Sequence, residues 1–182
     1  MSGASGACLG VRFLRECAAL NIETHLVMTR WAKSTIELET GLSAAAVAGL
    51  AGRVYDNDDL GAPLASGSFR HDGMVIIPCS MKTVGAIAGG YAQTLVERAA
   101  DVALKEGLKL LLVARETPLS AIHLENLLKL ARLGVAVMPP VPAFYTRPAT
   151  VDDIVDNIVG RVFDRLGVEN SLVKRWTGGQ IF

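Results

Sequence analysis

The residues best equipped for chemistry stand in "PCSMKT" (78–83), where two hydroxyls, Ser80 and Thr83, flank the ammonium of Lys82. The stretch closes an apolar run and opens a small-residue pattern, "VGAIAGGYA", that a flat ligand can approach closely. One hydroxyl alone reads as a helix cap; two beside a lysine read as a ligand loop. A second small-residue stretch, "SGASGA" (2–7), carries Gly3 and Gly6, with Gly10 beyond it. This is not the first-third-sixth glycine pattern of a dinucleotide fingerprint. It is either a tight strand-to-helix turn or a loop that presents N–H groups to a phosphate or flavin at a helix N-terminus. Arg115 and Glu116 end another apolar run, as solvated rim or as site groups. Lys105, Tyr145 and Arg161 add donors suited to a phosphate, although Arg161 beside an apolar stripe equally suits a snorkelling surface residue.

Other polar motifs read as structure. Asp152, Asp153 and Asp156 in "VDDIVD" have the spacing of a magnesium–diphosphate motif, but they fall in the first turn of a helix, where negative charge complements the macrodipole. His123 lies on an amphipathic pattern and reads as structural, and His25 and His71 have no metal partner at useful spacing. No metal site is expected. Trp176 either caps the core or turns an aromatic face to a cation.

The elements that must position these groups alternate. "IETHLVM" (22–28), "GMVIIPCS" (73–80), "LKLLLVA" (108–114) and "GVAVMPP" (134–140) read as strands buried on both faces. Between them, "ACLGVRFLRECAAL", "AKSTIELET", "TLVERAADVALKEG" and "SAIHLENLLKLARLG" carry helical spacing. Thr117-Pro118 reads as a helix start, and Thr150 with Asp153 as a capping box for a last helix. The segment at 56–68 reads as a surface loop. Strand–helix alternation predicts an α/β fold with a doubly wound, mostly parallel sheet, in one domain over 1–182. Ligands of such sheets sit outside the carboxyl ends of the strands, where Ser2–Gly6, Thr29, Ser80–Thr83, Arg115–Glu116 and the turn at Tyr145 converge.

Composition narrows the classes. Lys+Arg and Asp+Glu both number 18 among 182 residues, so no global field attracts nucleic acid or an anionic membrane. Apolar residues make up 51% and charged residues 20%. No apolar run nears the ~20 residues of a membrane span. Cys8, Cys17 and Cys79 lack metal-type spacing and read as buried free thiols. Together these features predict a cytoplasmic protein.

In order along the chain, "SGASGA", "GMVIIPCSMKT", "ERAADVALKEGLKLLLVARETPLSAIHLENLLKLARLG" and "PPVPAFYTRP" resemble the flavin prenyltransferase family (UbiX/Pad type). "HLVMTRWAKSTIELET" resembles the branch of that family that accompanies phenolic and other aromatic-acid decarboxylases. The resemblance implies a flavodoxin-like or Rossmann-like fold in a homododecamer. It implies metal-free transfer of a dimethylallyl group from dimethylallyl phosphate to reduced FMN, at N5 and then C6. The product, prenylated FMN, would serve a partner decarboxylase of the UbiD type. By resemblance, Gly3, Ala4, Ser5, Thr29, Ser80, Met81, Lys82, Thr83 and Arg115 contact flavin. Lys105, Arg115, Glu116, Tyr145 and Arg161 surround the prenyl phosphate. Ser5, Glu39 and Glu116 match groups that move protons, and Trp176 matches an aromatic residue facing the allylic cation.

The family pattern places a short apolar strand ahead of the first flavin loop, and Met1 falls where its last residues would be. Losing three or four buried apolar side chains there would cost about 5–10 kcal/mol, a large part of a domain's net stability, unless oligomer contacts compensate. Two other functions fit less well: a flavin-dependent cysteine decarboxylase, whose loop is of the Pro-Ala-Ser-Ala-Asn-Thr type, and a non-catalytic FMN-binding subunit.

Overall fold

The computed structural model describes residues 1–176 and 178. Among those residues five strands form, parallel within each paired group: β1 (His25–Val27), β2 (Arg53–Tyr55), β3 (Met74–Cys79), β4 (Leu110–Ala114) and β5 (Ala136–Val137). Parallel neighbours need crossover connections, and helices supply them. α2 (Arg30–Thr40) and α3 (Ala44–Ala48) join β1 to β2; α4 (Met81–Gly89) and α5 (Leu95–Lys105) join β3 to β4; α6 (Ala121–Arg132) joins β4 to β5. α1 (Ala7–Ala19) precedes β1 and α7 (Val151–Leu166) follows β5. Every residue of β4 is buried, which is why its sequence is unbroken Leu, Val and Ala rather than alternating.

The strands fall into two hydrogen-bonded groups, β1–β2 and β3–β4–β5, and residues 1 and 2 lie between them. The Met1 ammonium donates to Val27 O at 2.7 Å, and Thr29 N donates to Met1 O at 3.1 Å. On the other side Ser2 N donates to Pro78 O at 3.1 Å. Met1–Ser2 thus occupies the interior position between β1 and β3, where the family resemblance puts the end of a strand. Side chains from α4, α5 and α6 pack with β3 and β4 in one core, and α1 and α7 pack with those strands in another. A third core joins Met1, α1, β1, α2 and α3. Residues facing two of these cores alternate along β3 and β4, so the sheet is covered on both sides, as a doubly wound fold requires.

Local details depart from the sequence reading. β2 is a short strand with Arg53 and Val54 exposed, so it carries neither the apolar run nor the alternation that marks a strand. Thr117-Pro118 does not start α6. Ser120 does: its Oγ accepts from His123 N at 3.2 Å while His123 Nδ1 accepts from Ser120 N at 3.3 Å. This reciprocal cap satisfies two free helix-end groups at once and gives His123 its structural role. The cap of α7 is Thr150 with Asp153, as expected. Cys17 and Cys79 are buried, which pushes both thiols up to about 12, and Cys8 is half-buried. Among the described residues no helix is long and apolar enough to cross a membrane.

Burial lowers the Met1 ammonium from 8.0 to about 6, opposed in part by Cys79. Where Met1 carries the free amino group, the unfolded chain binds a proton between these values that the folded chain does not. Stability should therefore be fully present above pH 8 and fall by about 2–3 kcal/mol as pH drops below 6. Urea titrations across that range should show the slope, and acetylating the amino group should abolish it.

Candidate active site

The first loop is fastened to the β3–α4 loop by one side chain. Ser2, 2% exposed, donates its hydroxyl to Pro78 O at 3.1 Å and accepts from Ser80 N at 2.8 Å. Gly3 lies so close to Trp31 that a Cβ there would collide with the Trp31 side chain, so the loop also needs a glycine to pass α2. Gly6 adopts a left-handed φ of 106° before α1, a conformation glycine tolerates freely.

The helix N-terminus that follows already has its anion. Glu39 Oε2 accepts from both Gly6 N and Ala7 N at 2.8 Å. A carboxylate from α2 thus holds the two N–H donors at the N-terminus of α1. Burial pushes Glu39 upward, but the Ser5 hydroxyl, the Ala7 and Gly6 N–H groups and nearby Arg115 outweigh it and hold the carboxyl below its usual range. Ser5, Glu39 and Arg115 are thus one electrostatic neighbourhood. Ser5 and Arg115 are both exposed, while Ala4 is buried against the core.

Thr29 and Ser80 stand beside this loop as helix caps. Thr29 Oγ1 accepts from Ala32 N at 3.1 Å; Ser80 Oγ lies 3.2 Å from Thr83 Oγ1 and accepts weakly from Thr83 N at 3.4 Å. Met81 and Thr83 are buried, whereas the Lys82 side chain is largely exposed and bonds Glu97 Oε1 at 3.1 Å. Glu97 is 3% exposed and also accepts from Gln93 N and Thr94 N. Arg115 N donates to Cys79 O, fixing the end of β4 to that of β3, and the Glu116 carboxylate accepts from Thr117 N at 3.0 Å. The edge therefore presents hydroxyls, backbone N–H groups, Lys82 and Arg115 around one small-residue helix: a donor set matched to an anionic, flat ligand.

A second feature lies along α7. A groove of about 630 Å³, inside the ~300–1,000 Å³ range of small-molecule sites, is lined by Tyr145, Arg161 and Trp176 together with Met138, Val141 and Asn157. Tyr145 and Trp176 meet edge to face at 5.8 Å. Three residues expected to face the prenyl phosphate or its cation thus share one wall, although none of the flavin-loop residues lines it.

Lys105 joins neither group. It ends α5 at the amino end of β4, while Arg115 and Glu116 follow its carboxyl end, so a strand of roughly 16 Å separates them. Its ammonium pairs with Glu106 at 2.7 Å. Two aspartates of "VDDIVD" serve the fold: Asp153 caps α7, and Asp156 accepts from Arg12 Nε at 2.6 Å. Among the described residues no cluster of three His, Cys, Asp or Glu side chains is placed to hold a metal.

Sequence reading misses Glu97, Asp164 and Arg175. Glu97 is detectable, since Thr94 and Glu97 have capping-box spacing. Asp164 and Arg175, paired at 2.9 Å across the turn after α7, leave no local signature.

Replacing Glu39 by Gln removes the charge from the α1 N-terminus. The site is open to solvent, so the loss should be about 0.5–1 kcal/mol near neutral pH. A depressed carboxyl contributes above its unfolded pKa and loses that contribution as pH falls through the folded value. The difference between wild type and Glu39→Gln in urea titrations should accordingly vanish on acidification below the usual carboxylate range.

The chain matches the Flavoprotein family over residues 1–163. It is 59% identical over 179 residues to a probable UbiX-like flavin prenyltransferase of Escherichia coli O157:H7, covering 98% of this chain and 91% of that one. Among solved structures it is similar to AnUbiX (PadA1) in complex with FMN and dimethylallyl pyrophosphate, with a TM-score of 0.97 and 48% identity over 99% of this chain and 96% of that one. It is also similar to a dodecameric FMN-dependent UbiX-like decarboxylase from Escherichia coli O157:H7, with a TM-score of 0.95 and 57% identity over 98% of this chain and 100% of that one. With full-length similarity of this degree, the chain belongs to the UbiX-like flavin prenyltransferase family.

Proposed function

We propose that this enzyme joins a dimethylallyl group from dimethylallyl phosphate to reduced FMN, at N5 and then C6, giving prenylated FMN for a partner decarboxylase of the UbiD type. The observation that carries this reading is the full-length likeness to a protein seen with FMN and dimethylallyl pyrophosphate. The donor set at the carboxyl edge fits FMN: Gly3, Ala4 and Ser5 lie on one side of the clasp made by Ser2, with Ser80–Thr83 and Arg115 on the other and Thr29 beside the loop. Reduced FMN, once bound, supplies the nucleophilic positions that receive the prenyl group.

The remaining work falls to side chains. As the allylic C–O bond breaks, its electron pair leaves with phosphate, and Arg115, Arg161 and Lys105 stabilise the added charge without a metal. Glu116 donates a proton to the departing phosphate. Tyr145 binds a phosphate oxygen, and the Trp176 face stabilises the allylic cation without competing as a nucleophile. Glu39, held as a carboxylate beside Ser5, accepts a proton through that hydroxyl during bond formation.

One protomer keeps the flavin loops, the α7 groove and Lys105 apart. A homododecamer, supported by the dodecameric relative, reunites them if neighbouring copies bring Lys105 and the groove to each flavin edge. Free, unpaired thiols support a cytoplasmic setting.

Anaerobic incubation with reduced FMN and dimethylallyl phosphate in EDTA, followed by mass spectrometry of the flavin, should show the gain of one C5 unit. Glu116→Gln should bind FMN normally and slow transfer by about 100-fold or more. Unchanged FMN from folded, flavin-loaded wild-type protein would overturn the reading in favour of an FMN-binding subunit.

A further inference from the structure

We propose that Arg175 is a second phosphate-binding residue of the α7 groove, an assignment that rests on the prenyl-phosphate reading above. Among the described residues two guanidiniums line that groove, Arg161 and Arg175, and no acid does. Both turn to one carboxylate behind them. Asp164 Oδ2 accepts from Arg161 at 3.0 Å, and Asp164 Oδ1 accepts from Arg175 at 2.9 Å. Two cations sharing one anion leave a net positive charge on the wall.

The shared carboxylate leaves most of the donors free. A guanidinium has five N–H groups in a planar fork; Arg161 spends one on Asp164, and Arg175 spends one from each terminal nitrogen. The rest are available to an anion. Partial burial raises the Asp164 carboxyl, but the hydrogen bond from Arg175, with Asn170 and Arg161, outweighs it and keeps the group ionised. The counter-ion is therefore permanent at neutral pH.

The segment carrying Arg175 is seated rather than merely nearby. Asn170 donates to Gly160 O and Asp164 Oδ1 and accepts from Leu172 N. A Cβ on Gly160 would meet Val173 Cγ2 at 2.5 Å and Leu172 Cβ at 2.9 Å, so a glycine in α7 is what lets this segment lie flat. Arg175 and Trp176 arrive at the groove together. Cations behind, aromatic rings at the side and Met138, Val141 and Val162 below make a site for a small apolar group bearing a phosphate. A second guanidinium also suits a ligand with more anionic oxygens than a monophosphate, so Arg175 would help set the choice between phosphate and diphosphate.

The test compares the wild-type oligomer with Arg175→Gln and Arg175→Lys. Three quantities are read: the affinity for inorganic phosphate by calorimetry, KM for dimethylallyl phosphate, and the dissociation constant for FMN. Arg175→Gln should weaken phosphate binding and raise KM by roughly 10–100-fold, leave FMN affinity unchanged, and unfold at the wild-type temperature. Arg175→Lys should lose less, because it keeps the charge but not the fork. Wild-type phosphate affinity and KM in Arg175→Gln would overturn the assignment while leaving prenyl transfer intact, and so would a parallel fall in FMN affinity. If the wild-type protein binds phosphate through Arg175 yet transfers no prenyl group, the site stands and the functional reading falls.

Discussion

The Ser2 hydroxyl is the interaction on which the carboxyl edge of the sheet depends. It donates to Pro78 O and accepts from Ser80 N, so a single buried side chain binds the first loop to the start of α4. Its backbone N–H reaches Pro78 O as well, and Met1 beside it is bonded to Val27 O and Thr29 N. Three segments distant in sequence are thus held in register at the interior of the fold. The loop from Gly3 to Gly6, the Thr29 cap and the Ser80–Thr83 turn inherit their positions from this clasp. Buried hydroxyls without partners are costly; here the hydroxyl has two, which makes the junction both stable and specific.

Around that clasp, charge is arranged by capture. Glu39 takes the N–H groups at the start of α1, Glu97 takes those at the start of α5 together with Lys82, and Asp164 takes two arginines. Each carboxylate orients a cation or N–H group rather than neutralising the site. The catalytic logic proposed for the enzyme follows. Developing charge on a leaving phosphate meets donors already fixed in place, so little reorganisation accompanies bond breaking. The aromatic wall of Tyr145 and Trp176 complements this by giving the hydrocarbon part an apolar surface of its own.

Much of this is legible in the sequence, for reasons that differ by element. β3 and β4 announce themselves because burial on both faces demands unbroken apolar runs, and α7 does because Thr150 and Asp153 have capping-box spacing. The Ser80–Thr83 loop stands out because a lysine between hydroxyls exceeds what a cap needs. β2 is invisible, being an exposed edge of three residues. The Glu39 contact with Gly6 and Ala7 joins residues more than thirty apart, and nothing local foretells it. Arg161 is ambiguous by sequence, since a snorkelling arginine and a groove arginine have the same local pattern; its neighbours Asp164, Arg175 and Tyr145 decide where it stands. Lys105 shows the limit most clearly. Family resemblance groups it with Glu116, and the fold puts the two at opposite ends of β4.

The proposed assembly closes that separation, and mixing of variant protomers tests the proposal directly. Lys105→Ala and Glu116→Gln chains would be purified separately, dissociated, mixed and reassembled, and prenyl transfer to reduced FMN measured. If each site takes Glu116 from one copy and Lys105 from another, two variants inactive alone regain activity in the mixed oligomer. A mixture no more active than its parents, though reassembled and flavin-loaded, would contradict the account.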